Sequence, residues 1–190
     1  TLNCARVPAA ALTQVLVRAK DMQFILLGGV EISANSSEIA DLADALRRHQ
    51  TMTRIFVTNC HGTAEKVSLS TLLEAAAESK TMRFVAFDAL DCANESLGAL
   101  SHKSSSIQSL RMTVSDCFSL SGFAQLVRNL EDNSTLRELH ITYWPPYPGV
   151  GNILANLLIS NHGLNEVILE LSTLADAIPI GQALVFNTNL

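Results

Sequence analysis

A triplet of large apolar residues recurs along this chain with constant internal spacing: two residues separate the first from the second, and one separates the second from the third. The alternation within each triplet predicts a short β-strand with one buried face. We call the three positions the first, second and third markers. The six copies are Met22-Ile25-Leu27, Met52-Ile55-Val57, Met82-Val85-Phe87, Ile107-Leu110-Met112, Leu136-Leu139-Ile141 and Leu164-Val167-Leu169.

Apolar residues also recur at two fixed distances ahead of each triplet. Six residues before the next first marker lie Leu16, Leu46, Ala76, Leu130, Leu158 and Leu184, with Leu100 seven before. Ten residues before lie Leu12, Leu42, Leu72, Leu126, Leu154 and Ile180. A separation of four residues places both side chains on one face of a helix. Each unit is therefore predicted to be a strand, a loop, a helix and a second loop.

The repetition organises the whole chain. The intervals between first markers are 30, 30, 25, 29 and 28 residues, followed by 26 to Leu190, where a seventh triplet opens. We therefore interpret residues 1–190 as one repeat domain, with a partial repeat at 1–21, repeats that start at 22, 52, 82, 107, 136 and 164, and the next opening at 190. Neither end carries the polar cap that closes such arrays, so we expect a piece of a longer array.

These markers resemble those of the leucine-rich repeat family, and the period of about 28 residues with a full helix looks most like its ribonuclease-inhibitor-type branch. The resemblance implies an α/β leucine-rich-repeat solenoid (horseshoe), with a parallel sheet on the concave face and helices on the convex face. One feature departs from the family. The family places Asn or Cys eight residues after the first marker, and among Val30, Cys60, Leu90, Ser115, Trp144 and Ser172 only Cys60 matches.

The spacing of strands and helices predicts the curvature. Neighbouring strands lie about 4.8 Å apart, whereas packed helices need roughly 8–10 Å between their axes. An array with strands on one side and helices on the other must therefore bend toward the strands.

Residues between the markers are expected to point away from the core, into the concave side. Aromatic and aliphatic residues concentrate in the first three units and acidic residues in the last two, which indicates an apolar anchor with an acidic flank. The candidate partner-binding residues are Phe24, Leu26, Arg54, Phe56, Phe84, Asp88, Arg111, Glu138, His140 and Glu166. The alternative is a register shifted by one residue, which would bury the phenylalanines instead.

A second candidate lies in the loop after the fifth predicted strand, with the sequence Trp144-Pro145-Pro146-Tyr147-Pro148. The prolines stiffen this loop, and Trp144 and Tyr147 are residue types that often anchor interfaces. A rigid loop whose aromatic rings pack back onto the neighbouring unit would explain the same residues.

Charge and hydropathy argue against nucleic acid and membrane as partners. The formal net charge is −5, and the one adjacent basic pair, Arg47-Arg48, lies at the end of a predicted helix, where cations suit the helix dipole. The most apolar stretch, from Phe24 to Ile32, contains two glycines and Glu31 and is far too short to span a bilayer.

The four cysteines, Cys4, Cys60, Cys92 and Cys117, show no metal-binding spacing. Cys92 and Cys117 fall in equivalent loops of adjacent units, so a disulfide is geometrically conceivable, but we expect reduced thiols in a cytoplasmic protein. Asn-x-Ser/Thr sequons at Asn35, Asn94 and Asn133 leave a secreted or surface location open.

Motifs for catalysis are absent from the sequence: it has no phosphate-binding loop, no nucleophile elbow and no His-Glu-x-x-His. His49, His102 and His162 precede strands and are expected to serve turns or helix ends. Asp41 and Asp44 are interpreted as a solvated helix face. We therefore expect neither enzyme activity nor a cofactor.

The leading functional prediction is a protein-binding scaffold that presents its strands to a macromolecular partner. The resemblance leaves an alternative, a regulatory segment of a larger protein such as a Ran GTPase-activating protein-like regulator or a nucleotide-binding immune-type receptor. A GTPase regulator is expected to use a loop arginine, whereas Arg54 and Arg111 lie on predicted strands.

Overall fold

The structure is a computed structural model that describes residues 2–3, 6–28, 31–33, 36–58, 67–88, 106–114, 120–143, 148–170 and 173–190. The strands are β1 (Leu2–Asn3), β2 (Arg6–Pro8), β3 (Phe24–Gly28), β4 (Glu31–Ser33), β5 (Arg54–Thr58), β6 (Phe84–Asp88), β7 (Ser109–Val114), β8 (Glu138–Tyr143) and β9 (Glu166–Glu170). The helices are α1 (Ala9–Arg18), α2 (Ser36–Arg48), α3 (Val67–Glu78), α4 (Leu120–Glu131), α5 (Val150–Ser160) and α6 (Leu174–Leu184).

Seven strands form one parallel sheet in the order β1-β3-β5-β6-β7-β8-β9. Their register matches the repeats, because each second marker lies beside the next second marker: Ile25 beside Ile55, Ile55 beside Val85, and so on to Val167. β1 enters the same sheet with Leu2 beside the third marker Leu27. The predicted strand in each unit is thus confirmed, and so is the parallel arrangement.

Burial decides between the two possible registers. The second and third markers of β5 to β8 are at most 2% exposed, whereas Arg54 and Glu138, each directly before a second marker, are exposed. A shift of one residue would exchange the two faces of every strand. The alternative register is therefore excluded.

The helices pack on the marker side of the sheet. A small cavity of about 20 Å³ is bounded on one side by the helical leucines Leu12, Leu16, Leu42, Leu46 and Leu72 and on the other by the strand markers Ile25, Leu27 and Ile55. The i, i+4 pairs expected from the sequence thus supply the helical half of the core. The structure also has a second, two-stranded sheet that the repeat pattern does not predict. In this sheet β2 pairs in parallel with β4, the short strand between β3 and α2 in the chain.

Backbone hydrogen bonds fix the start of each strand in the same way along the array. The amides of Thr53 and Arg54 both donate to the carbonyl of Gln23, at 2.8 and 3.1 Å. Equivalent pairs of amides meet the carbonyls of Thr53, Arg83, Gln108 and Arg137. Each unit therefore sets the register of the unit that follows.

Side chains located three residues before the first marker close the turn from helix to strand. We call them turn-capping residues. Asn161 Oδ1 accepts from the amides of Gly163 and Leu164, at 2.8 and 2.9 Å. Asn133 Oδ1 and Asn187 Oδ1 accept equivalent amides, and His49 Nδ1 does the same for Thr51 and Met52.

The turn-capping residues also link neighbouring units. Asn161 Nδ2 donates to the carbonyls of Leu130 and Asn133, at 2.6 and 2.9 Å, and Asn187 Nδ2 donates to the carbonyl of Leu158. His49 Nε2 lies 3.1 Å from the carbonyl of Ala19. Because Nδ1 of His49 accepts two amides, its proton must be on Nε2, and it donates to Ala19.

Two residues considered in the sequence analysis, His49 and Asn133, are turn-capping residues in the structure. His49 is buried in a turn, as predicted for the histidines that precede strands. Asn133, one of the three sequon asparagines, is 5% exposed and accepts hydrogen bonds within its turn, so a glycan has no room there without opening the turn. His102, Asn35, Asn94 and the four cysteines lie outside the described residues.

The last two helices approach each other closely. The first turn of α5 follows Gly149, which has a φ of 97° and supplies no capping side chain. Instead the Gly151 amide donates to Oδ1 of the buried Asp176, at 3.0 Å. The other oxygen of Asp176 accepts from the hydroxyl of Thr173, so the carboxylate joins the N-terminal turns of α5 and α6. A carboxylate suits the positive end of a helix dipole.

We predict that Asn161→Ala lowers the free energy of unfolding by about 2–4 kcal/mol, because it leaves buried amides and carbonyls without partners. Asn156→Ala, the same substitution at an exposed position of α5, is expected to change it by less than about 0.5 kcal/mol. Urea unfolding followed by circular dichroism measures both. Equal stability of the two variants would contradict the structural role of the turn-capping asparagine.

Two glycines provide a second matched pair. A Cβ at Gly151 would lie 2.6 Å from the Cα and 2.8 Å from the carbonyl carbon of Asp176, whereas a Cβ at Gly181 meets nothing within 4 Å. Gly151→Ala is expected to cost about 1–3 kcal/mol through the clash, while Gly181→Ala gains up to about 1 kcal/mol from helix propensity. Thermal unfolding compares them, and a stable Gly151→Ala variant would refute the close approach.

Candidate protein-docking surface on the sheet

The surface of the seven-stranded sheet opposite the helices carries most of the predicted site residues. We call it the strand face and define it by the side chains that lie between and after the markers. Phe24, Arg54, Phe84, Ser109, Glu138 and Glu166 follow one another across neighbouring strands, as do Leu26, Phe56, Ala86, Arg111, His140 and Ile168. Residues separated by up to 142 positions in sequence, from Phe24 to Glu166, thus share one surface.

The first three full strands form the apolar part of this surface. Phe24 is 56% exposed. The rings of Phe56 and Phe84, on adjacent strands, have centroids 4.8 Å apart and planes tilted by 36°, within the range of favourable aromatic contacts. Leu26 and both of these rings are partly exposed, whereas Ala86 beside Phe56 is buried. The apolar part of the strand face therefore contains three phenylalanines that are at least partly exposed.

The last two strands form the acidic part. Glu138 and Glu166 lie directly beside each other in the register, and both are exposed. Glu170, on the same strand as Glu166, places Oε1 3.2 Å from Nε2 of His140. This contact is an ion pair when His140 is protonated and a hydrogen bond to the neutral ring otherwise.

Two arginines also lie on the strand face, Arg54 within the apolar part and Arg111 on β7, between the apolar and acidic parts. Arg54 lies between Phe24 and Phe84 in the register, and Arg111 lies beside His140. Both are exposed. Asp88, at the end of β6, is half-buried. The strand face therefore changes from aromatic to mixed charge to acidic along the array.

Two predicted site residues remain. Trp144 and Tyr147 lie outside the described residues, so their role as interface anchors stays a prediction. Glu170 is the site residue that the sequence-based set lacks. Its position after the third marker was a signal for exposure, but its contact with His140 depends on the register of two strands far apart in sequence.

The helical surface carries a cluster of paired charges on α2 and α3. Arg47 donates to Glu78 on the next helix and to Asp44 one turn earlier, the latter at 2.9 Å. Burial alone would lower the pKa of the Arg47 guanidinium, but the hydrogen bonds to Glu78 and Asp44 outweigh it and the pKa is raised. Arg47 therefore serves contact between helices, beyond the dipole role expected from sequence.

Within the described part of the chain, no three His, Cys, Asp or Glu residues are grouped closely enough to hold a metal ion. No helix in the described ranges has both the length and the apolar character required to cross a bilayer.

Comparison with known proteins supports the fold. No protein-family model matches the sequence, and no relative is found among curated proteins. Among solved structures, the tropomodulin C-terminal domain of Caenorhabditis elegans superimposes with a TM-score of 0.58 and 17% identity, over 78% of this chain and 92% of that chain. A leiomodin-1 segment described as actin-binding site 2 gives 0.49 and 14% identity, over 93% and 86%.

The tropomodulin likeness, together with the parallel sheet and its regular register, supports a leucine-rich-repeat-like α/β fold. At 17% sequence identity, this likeness is evidence for the fold alone. The choice of partner must therefore be argued from the surface of this chain.

We predict that aromatic residues on the two faces of the sheet respond differently to truncation. Phe24→Ala is expected to lower the free energy of unfolding by less than about 1 kcal/mol, because the ring is mostly in water. Phe87→Ala removes a third marker that is 1% exposed and should cost about 3–5 kcal/mol. Chemical denaturation of both variants tests this, and comparable losses would show that Phe24 belongs to the core.

Proposed function

We propose that this chain is a non-catalytic scaffold that binds a protein partner on its strand face. The observation that carries the proposal is the group of partly exposed phenylalanines, Phe24, Phe56 and Phe84, on a surface that faces away from the core. Aromatic rings contribute much of the binding energy where a partner excludes water from them. The aromatic part of the strand face is the proposed anchor site.

The acidic part favours a basic partner. Like charges directly opposite on neighbouring strands destabilise a sheet, and Glu138 and Glu166 are such a pair. A lysine or arginine from a partner would relieve this repulsion while it forms two charge-assisted hydrogen bonds. The acidic part would thus contribute selectivity and association rate, and the aromatic part affinity.

The distance between the aromatic and acidic parts of the strand face determines how far apart the apolar and basic residues of a partner must be. Phe56 on β5 and Glu138 on β8 are three strands apart, which corresponds to about 14 Å at the usual separation of strands. An extended segment rises about 3.4 Å per residue, so it would span this distance in about four residues. The preferred ligand is therefore an apolar or aromatic side chain followed, about four residues away, by lysine or arginine.

We also propose that the array of repeats is curved. Strands at about 4.8 Å and helices at roughly 8–10 Å cannot stack side by side without bending. We propose that the array bends into a horseshoe-type solenoid with the strand face on its concave side, where a partner would contact several units at once. The GTPase-regulator alternative gains no support from the arginines, because Arg54 and Arg111 lie within strands β5 and β7.

A peptide-display selection tests the proposal. Libraries that randomise ten positions are selected against the wild-type chain, against Phe24→Asp and Phe56→Asp, and against Glu138→Lys/Glu166→Lys. We expect wild type to enrich peptides with the apolar-to-basic spacing, the phenylalanine variants to lose binding at least about tenfold, and the lysine variant to lose the preference for basic residues.

Val17→Asp on α1 and Asp41→Lys on α2, both at exposed helical positions, serve as matched controls and should bind as wild type does. Thermal unfolding of each variant separates a lost surface from a lost fold. Peptides that bind the strand-face variants normally but fail on the helical variants would overturn the proposal.

A further inference from the structure

A groove lies between helices α1 and α2. Its volume is about 660 Å³, with Val17 and Lys20 of α1 on one wall and Asp41, Ala45 and Arg48 of α2 on the other. The groove therefore combines apolar side chains with charges of both signs. Because it lies on the helical side of the sheet, it is separate from the strand face.

The groove lies where an ion pair between helices is replaced. At the boundary between α2 and α3, Arg47, five residues before a first marker, donates to Glu78. The equivalent residues at the boundary between α1 and α2 are Val17 and Arg48, which cannot form an ion pair. Val17 is 60% exposed although α2 lies beside it. The change from arginine to valine thus leaves an apolar side chain at the surface of this boundary.

The charged residues of the groove are accessible to a partner. The side chain of Arg48 is 82% exposed, and its ion pair with Asp44 spans 3.5 Å. Asp41 and Lys20 are exposed, and neither forms an ion pair with another residue in the described ranges. The rims of the groove therefore carry charges that a partner can neutralise.

The order of charges along α2 is complementary to its own reverse. Asp41 and Arg48 are seven residues apart, which is two helical turns and about 10.5 Å along the axis, and Ala45 lies between them. Residues at this spacing share one face of a helix. When two such helices run antiparallel, the aspartate of each meets the arginine of the other. Parallel helices in register would instead place like charges together.

We propose that the groove between α1 and α2 is an interface for a second copy of this chain, in which the two α2 helices lie antiparallel about a two-fold axis. Asp41 of each copy pairs with Arg48 of the other, so the contact contains the same ion pair twice. The axis passes level with the middle of this pair, beside Ala45, whose small side chain lets the two helices approach closely. The second copy also covers Val17.

Electrostatics favours this occupant over others. Two aspartates, Asp41 and Asp44, and two cations, Lys20 and Arg48, line the groove, so two copies meet there without net repulsion although each chain carries a formal charge of −5. Antiparallel helices also bring the positive end of one dipole to the negative end of the other. A helix of a different protein would need the same acidic-to-basic spacing, which this chain already supplies.

Sedimentation equilibrium of the chain at concentrations from about 5 to 500 µM, a range suited to weak association, tests the proposal. We expect a reversible dimer. Asp41→Arg is expected to weaken it at least about tenfold, because each of the two contacts then joins two arginines. Arg48→Asp is expected to weaken it similarly, because each contact then joins two aspartates.

A mixture of the two single variants gives the sharper measurement. A heterodimer of Asp41→Arg with Arg48→Asp restores both ion pairs, because two arginines on one copy then face two aspartates on the other. We expect the mixture to associate with an affinity within about threefold of the wild-type value. The double variant Asp41→Arg/Arg48→Asp exchanges the charges within one chain and is expected to recover self-association as well.

Asp132→Arg, directly after α4, makes the same change of charge at an exposed residue outside the groove and should dimerise as wild type does. Thermal unfolding of every variant is expected to agree with wild type within about 2 °C, because the altered residues are exposed. A chain that stays monomeric, a dimer unchanged by Asp41→Arg, or a mixture that fails to associate would overturn the proposal. So would binding of a synthetic helix of residues 36–50 to a strictly monomeric chain, since the groove would then suit a helix of a different protein.

Discussion

Buried backbone groups at the turn from each helix into the next strand are the constraint on which this architecture depends. A parallel strand can follow its neighbour only after a helical crossover, and every crossover leaves helix carbonyls and strand amides inside the array. His49, Asn133 and Asn161 satisfy these groups from equivalent positions, and Asn187 makes the same bonds in an exposed turn. Since Asn161 also bonds carbonyls of the preceding unit, the interaction that closes one turn fixes the stacking of two units.

The two faces of the sheet follow different physical rules as a result. The marker face must fill the space beneath the helices, so its residues are apolar and, in β5 to β8, nearly inaccessible. The strand face is free of that requirement and carries phenylalanine, arginine, histidine and glutamate in the same register. The core therefore does not dictate the composition of the surface on which we propose that a partner binds.

Particular residues show where sequence reasoning reaches its limit. The spacing of Ile55 and Val57 predicted which residues are buried, and it placed Phe24, Phe56 and Phe84 on the opposite face. It did not predict the Phe56–Phe84 contact or the Glu170–His140 pair, because each depends on side-chain geometry across two strands. The helix-to-strand turn was expected to employ histidine, but the shared role of His49 and the three asparagines requires knowledge of which carbonyls lie within reach.

The sequence by itself determined the repeat, the strand of each unit, the helices within the described ranges and the side of the strand that is buried, because alternation and helical spacing are local properties of the chain. The tertiary structure decided which repeats are neighbours in the sheet, that Glu138 lies beside Glu166, and that the last unit leaves its core positions partly uncovered. These facts depend on stacking, which joins residues about 30 positions apart in the chain through hydrogen bonds and packing that no local pattern encodes.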